Sequence, residues 1–217
     1  GWAVFLGANL GDRKEAISMD TKKIEPIVRG ESTRLQRLSQ NWVYGSLPLS
    51  FLLLGLLVSF QDHLSWLQFL LALHLPVYMW HQYEEHDDNR FKAFADTQFG
   101  PGVLSDFAIF VINVVGVWAL FSALILLSVK VSTGLGLGVA YLTAINAVTH
   151  VGALLKTRSY NPGLATAVLL FLPLSLTTLK GITSHPEVSH FSILFGFAVG
   201  AGIHVAIMAY ARSRRDG

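Results

Sequence analysis

Cysteine is missing from all 217 residues. Its absence excludes disulfides, a thiolate nucleophile, Cys-bound zinc and iron–sulfur clusters. Charge is scarce as well. Asp, Glu, Lys and Arg make up 14% of the chain, against about 25% in a soluble globular protein. The hydrophobic share is 52%. So few charges could not cover a core of that size in water, so most of the chain is expected to lie out of water. The same composition rules out disorder and collagen. A net charge of +2 is too small to point to a nucleic acid partner.

The few charges are unevenly spread. Residues 1–43 hold 12 of the 30, and the remaining 174 residues hold 18. The chain is therefore expected to divide into a basic, peripheral cytoplasmic segment at 1–43 and a transmembrane helical domain at 44–217. Gly1 to Leu10 is too short to cross a bilayer and no basic stretch precedes it, so it does not read as a signal peptide. Asp20 to Gln40 is of mixed charge and reads either as a solvated, partly ordered tail or as a helix on the cytoplasmic surface.

A bilayer-crossing helix needs about 17–25 mostly apolar residues. Six segments qualify: Gly45 to Phe60, Leu64 to His81, Phe107 to Val129, Leu135 to Leu155, Gly163 to Leu179 and Phe191 to Ala211. The first two are separated by Gln61, Asp62 and His63 and predict a tight hairpin. Pro76 and Pro173 fall inside spans, where a kink is expected. With the N-terminus inside, the inner segments hold 14 Lys and Arg and the outer loops hold Lys130 and Lys180. Positively charged loops stay on the cytoplasmic side. The sequence thus predicts an all-α integral membrane bundle of about six transmembrane helices, with both termini cytoplasmic.

Polar residues inside such a bundle are expensive and mark function or packing. The densest group is HQYEEHDD, His81 to Asp88, at the inner end of the second span. At about 100° per residue, Glu85 lies about 40° from His81 and Glu84 about 60° the other way. The imidazole and both carboxylates share a face, a spacing that can grip one divalent ion. His74 lies deeper on that face. His86 points about 140° away from His81 and is expected to serve something else. In the fourth span Asn146 and His150 are i, i+4 neighbours in an apolar stretch, and His150 falls near the same membrane boundary. Tyr160-Asn161-Pro162-Gly163 opens the fifth span on that side as a helix start, with Tyr160 placed to donate a hydrogen bond into the site. His204 falls in the inner half of the sixth span, and Asn113 is a weaker candidate of the same kind. His63, His185 and His190 fall outside.

HxxEE at His81, Glu84 and Glu85, a further histidine at His150, and YxPG at Tyr160, Pro162 and Gly163 together resemble the HXXEE family of small integral membrane proteins. The resemblance covers roughly residues 45–211. That family takes its name from the motif and has no established function, so the resemblance implies a site without naming a reaction. Its second histidine is assigned here to His150, with His204 the alternative.

Other catalytic patterns are absent. There are no HxxxH or HxxHH runs of membrane desaturases and no HExxH, HxxEH or EExxxR. Neither a Walker nor a Rossmann glycine pattern occurs. GLGLG at 134–138 reads as close helix packing.

The sequence expectation is a metal-dependent membrane enzyme open to the cytoplasmic leaflet. His81, Glu85 and His150 would hold zinc or iron, and Glu84 would act as ligand or general base. Tyr160 would act in catalysis, with Asn146, His204 and His74 in support. The partners expected are the lipid bilayer and a lipid-like substrate. Zinc would favour hydrolysis, and two irons would favour oxidation of an aliphatic chain. Two other readings stay open: a small transporter or binding protein with a polar His/Glu cavity, and a structural or assembly subunit.

Overall fold

A computed structural model describes residues 32–186 and 188–215. The expectations placed on residues 1–31 lie outside the described residues. Seven helices account for nearly all of the described chain, and no β-strand occurs among the described residues. They are α1 (Arg34–Ser59), α2 (Trp66–His86), α3 (Arg90–Phe99), α4 (Asp106–Lys130), α5 (Thr133–Thr157), α6 (Leu164–Thr183) and α7 (His190–Arg215).

Five of these, α1, α4, α5, α6 and α7, are long and apolar enough to cross a bilayer. The remaining expected span, the second, is α2, which is 21 residues long and carries the polar run His81 to His86 at its end. It lies against α1, α4, α5 and α6, with His74, His81, Gln82, Glu85 and His86 buried in the bundle. Large apolar side chains such as Phe51, Leu126, Leu169, Leu194 and Val205 are exposed on the outer helices. A soluble monomer rarely exposes so much apolar surface. The protein is an integral membrane protein.

Local chemistry sets the helix ends. Thr33 and Ser65 each start a helix with a capping box, their hydroxyls accepting from the backbone N–H of Gln36 and Gln68. The reciprocal bonds run from the backbone N–H of Thr33 and Ser65 to the side-chain oxygens of those glutamines, so two otherwise unpaired donors are satisfied at each end. α1 begins at Arg34 and runs unbroken past position 43. At the end of α2, Asp88 and Asn89 both take the left-handed conformation, with φ of 54° and 56°, a region that Asp and Asn tolerate best after Gly. That turn sends α3 back against the end of α2 and places Phe91 on the His86 ring.

Pro76 is accommodated inside α2 without a break in its helical assignment. Pro173 is preceded by a π-helical segment, Ala167–Phe171. Proline lacks the N–H that an α-helix would give to the carbonyl four residues back, and a π-turn is one way to absorb that loss. A second π segment, Val111–Trp118, interrupts α4.

Between helices in lipid, the driving force is close packing rather than the exclusion of water. α5 and α7 show it most clearly. A Cβ at Gly196 would stand 2.5 Å from Leu137 Cβ, and one at Gly200 would stand 2.8 Å from the Leu142 backbone nitrogen. The glycines of the 134–138 run also sit in close helix contacts, Gly134 against Ser192 of α7, Gly136 against Leu71 of α2 and Gly138 against Leu124 of α4 and Val199 of α7. Deep in the bundle, His74 ties three helices. Its Nδ1 is 3.0 Å from Thr143 Oγ1 on α5 and its Nε2 is 3.2 Å from Thr178 Oγ1 on α6.

Candidate metal centre

His81 and Glu85 sit one turn apart on α2, and His150 faces them from α5. All three are buried, and one ligand atom from each lies within 4.8 Å of the others. His81 Nε2 is 3.6 Å from Glu85 Oε2, and His150 Nε2 is 3.6 Å from Glu85 Oε1. His150 is thus the second histidine of this cluster. His204 Nδ1 instead donates to the Gly200 carbonyl within α7, although the ring lines the same cavity.

The outer partners decide which nitrogen of each ring carries hydrogen. Asn161 Oδ1, an acceptor, is 2.7 Å from His150 Nδ1, and its Nδ2 donates to the His150 carbonyl at 3.0 Å. His150 Nδ1 must therefore carry a hydrogen. Thr166 Oγ1 lies 2.8 Å from His81 Nδ1. Its single hydrogen goes to Glu84 Oε2 or the Gly163 carbonyl, both acceptors. The hydroxyl can then only accept from His81, so His81 Nδ1 is also a donor. In the neutral rings both Nε2 atoms carry lone pairs, and both are directed at one carboxylate. His81 Nε2 is buried without a hydrogen-bond partner. Lone pairs facing a carboxylate repel one another unless a cation lies between them. A hydrogen-bonded second partner fixing the tautomer is the usual arrangement behind a metal-binding histidine.

The other expected carboxylate, Glu84, turns elsewhere. Glu84 Oε1 accepts from the Tyr160 hydroxyl and the Ala165 N–H, and its Oε2 accepts from the N–H and hydroxyl of Thr166. A carboxylate at the first turn of α6 is well placed against free N–H groups and the helix dipole. Four donors fill it, so Glu84 reaches His81 only through Thr166. Tyr160 donates to Glu84 and does not reach the cluster directly. Burial and the neighbouring Glu84 carboxylate push its phenol up to about 12, so it remains a donor at neutral pH.

Gly163 closes the site from beneath. Its φ is 87°, and a Cβ there would stand 2.7 Å from His81 Cε1 and 2.8 Å from His150 Cε1. The glycine of the YxPG run is thus required twice, by its backbone and by the two rings. Phe171, from the π segment of α6, packs its ring 4.3 Å from that of His81.

His86 differs from the expectation. Its Nε2 is 3.2 Å from Glu85 Oε2. Glu85 is long and next in sequence, and α2 ends in that turn, so the helical-wheel angle of His86 does not keep it from the carboxylate. Trp42 and Phe91 pack on its ring, and Asn113 Nδ2 lies 3.4 Å from its Nε2. Asn113 in turn accepts from Gln82, whose Oε1 takes the Trp118 indole N–H. Asn146 bonds the Tyr78 hydroxyl at 3.3 Å rather than a member of the cluster. His74 belongs to the Thr143–Thr178 tie and not to the site. Asn161 and Thr166, the two side chains that orient the histidines, were not singled out by sequence as site residues. The asparagine in the YNPG helix start was the available signal for the first. Thr166 carried none.

Glu85, His86 and His150 form part of the wall of a cavity of about 260 Å³. The remainder is largely apolar and includes Phe91, Phe94, Leu142, Ile203 and Met208.

Fold and site together define a class: an integral membrane helical bundle with a buried His/His/Glu cluster suited to a divalent metal ion. Residues 72–178 match the model of a family described as proteins of unknown function with an HXXEE motif, and the chain belongs to that family. No curated protein and no solved structure matches the chain.

Proposed function

We propose that this protein is a metal-dependent membrane hydrolase acting on a lipid-like substrate at the cytoplasmic leaflet. The observation that carries the reading is the pair of Nε2 lone pairs aimed at Glu85. Ligand atoms about 2 Å from one tetrahedral ion stand about 3.3 Å from each other, close to the 3.6 Å separations between the ring nitrogens and the carboxylate. His81, Glu85 and His150 would hold the ion. A zinc ion so held would bring the pKa of a bound water toward 7 and polarise a carbonyl or phosphoryl oxygen.

The chain's own groups have separate parts. Asn161 and Thr166 keep the two rings in the tautomer that offers Nε2. Glu84 holds Thr166 and Tyr160 and so acts as a positioning residue. His86, on the cavity wall beside Glu85, is the group placed to hand a proton to a leaving group. Hydrolysis is favoured over di-iron oxidation because only one carboxylate reaches the cluster among the described residues. Di-iron bundle sites of the ferritin type use four carboxylates.

The test is metal content after purification without added metal, paired with a screen of ester, amide and phosphoester lipids. The parent should carry near-stoichiometric zinc, and Glu85→Gln and His150→Ala should lose it together with turnover. A metal-free parent, or variants that retain the parent's metal, would overturn the proposal.

A further inference from the structure

A second apolar space lies between α4 and α7. It measures about 450 Å³ and is lined by Phe107, Val111, Gly116, Ala206 and Tyr210 among others. Ile112, Val117, Ile203 and Ile207 line both this groove and the cavity that ends at Glu85 and His150. The two spaces are thus separated by one layer of aliphatic side chains. No charged residue lines the groove. Both flanking helices are apolar enough to span the bilayer, and Phe107, Val115 and Val205 are exposed along them.

We infer that a single aliphatic chain of a membrane amphiphile enters sideways from the bilayer through this groove, with its polar end at the Glu85–His150 wall. The inference deepens the hydrolase reading and rests on it for the chemistry at that wall. The occupant follows from the geometry. A helix is about 10–12 Å across with its side chains and could not enter a 260 Å³ cavity. A flexible chain can, once the shared layer changes rotamers. A charged water-soluble molecule would have to cross an uncharged apolar groove. Ile112 and Val117 belong to the π segment of α4, the kind of irregular turn that recurs at functional sites. The four shared residues would then set which chains are admitted.

The full chain in phosphatidylcholine vesicles, with a long-chain fatty acid bearing a terminal diazirine, provides the test. After illumination, label should map to α4 and α7 residues of the groove and cavity. Ile207→Trp and Ile203→Trp should each lose most of that label while metal content stays at the parent level. Val205→Trp, on the exposed face, should keep it. Label scattered evenly over outward residues such as Leu176 and Leu194, unchanged by either groove variant, would overturn the inference. Groove labelling that persists in a parent without metal would uphold the groove and sink the hydrolase reading instead.

Discussion

At the scale of single residues, the side chains that would hold a metal, His81, Glu85 and His150, differ from those that orient them, Asn161 and Thr166. Asn161→Ala removes the acceptor for His150 Nδ1, and metal affinity should fall about 10–100-fold, the range for losing an outer partner. Asn161→Asp keeps an acceptor there and should retain most of the affinity. Titration with a competing chelator reads both. Gly163→Ala should be more damaging, because a left-handed non-glycine residue costs about 1–2 kcal/mol and the new methyl collides with both rings. His74→Ala is the contrasting case. Its ties to Thr143 and Thr178 lie away from the cluster, and interhelical hydrogen bonds in membranes are worth about 0.6–2 kcal/mol. Thermal stability in detergent should drop while metal content is unchanged. Equal metal loss in His74→Ala and Asn161→Ala would remove the distinction between packing and site histidines.

At the scale of the helix, what the sequence made legible was whatever depends on spacing along one element. The apolar runs located the long helices, and the i, i+4 spacing put His81 and Glu85 on one face. The near agreement in depth of His81 and His150 anticipated their meeting. Features set by tertiary contact escaped. α1 starts at Arg34, ahead of its apolar run, because Thr33 and Gln36 cap it. α3 depends on two left-handed residues at the end of α2. Glu84 could be placed on the site face by helical geometry, but only the approach of α6, with Thr166 and Tyr160, shows that it is drawn away. Close helix approach is testable at this scale. Gly200→Leu should force α7 off the α5 backbone and lower the yield of folded protein in detergent, whereas Gly202→Leu, with open space at its Cβ, should behave like the parent.

At the scale of the whole molecule, the topology and the metal are the two claims with the widest consequence. The chain has no cysteine, so single introduced cysteines report sidedness cleanly. Ser159 precedes α6 and Ser184 follows it. Ser159→Cys should label from the cytoplasmic side and Ser184→Cys from the opposite side, as the basic residues near the inner loops require. Labelling of both from one side would mean that α6 does not cross. The central claim is that His81, Glu85 and His150 hold one divalent ion, and X-ray absorption at the metal edge of the purified parent protein tests it most directly. A zinc shell of two imidazole nitrogens and carboxylate oxygen at about 2.0–2.2 Å is expected, and His150→Ala should lose it together with the metal. A parent with no bound transition metal, or with a shell lacking imidazole, would contradict that claim.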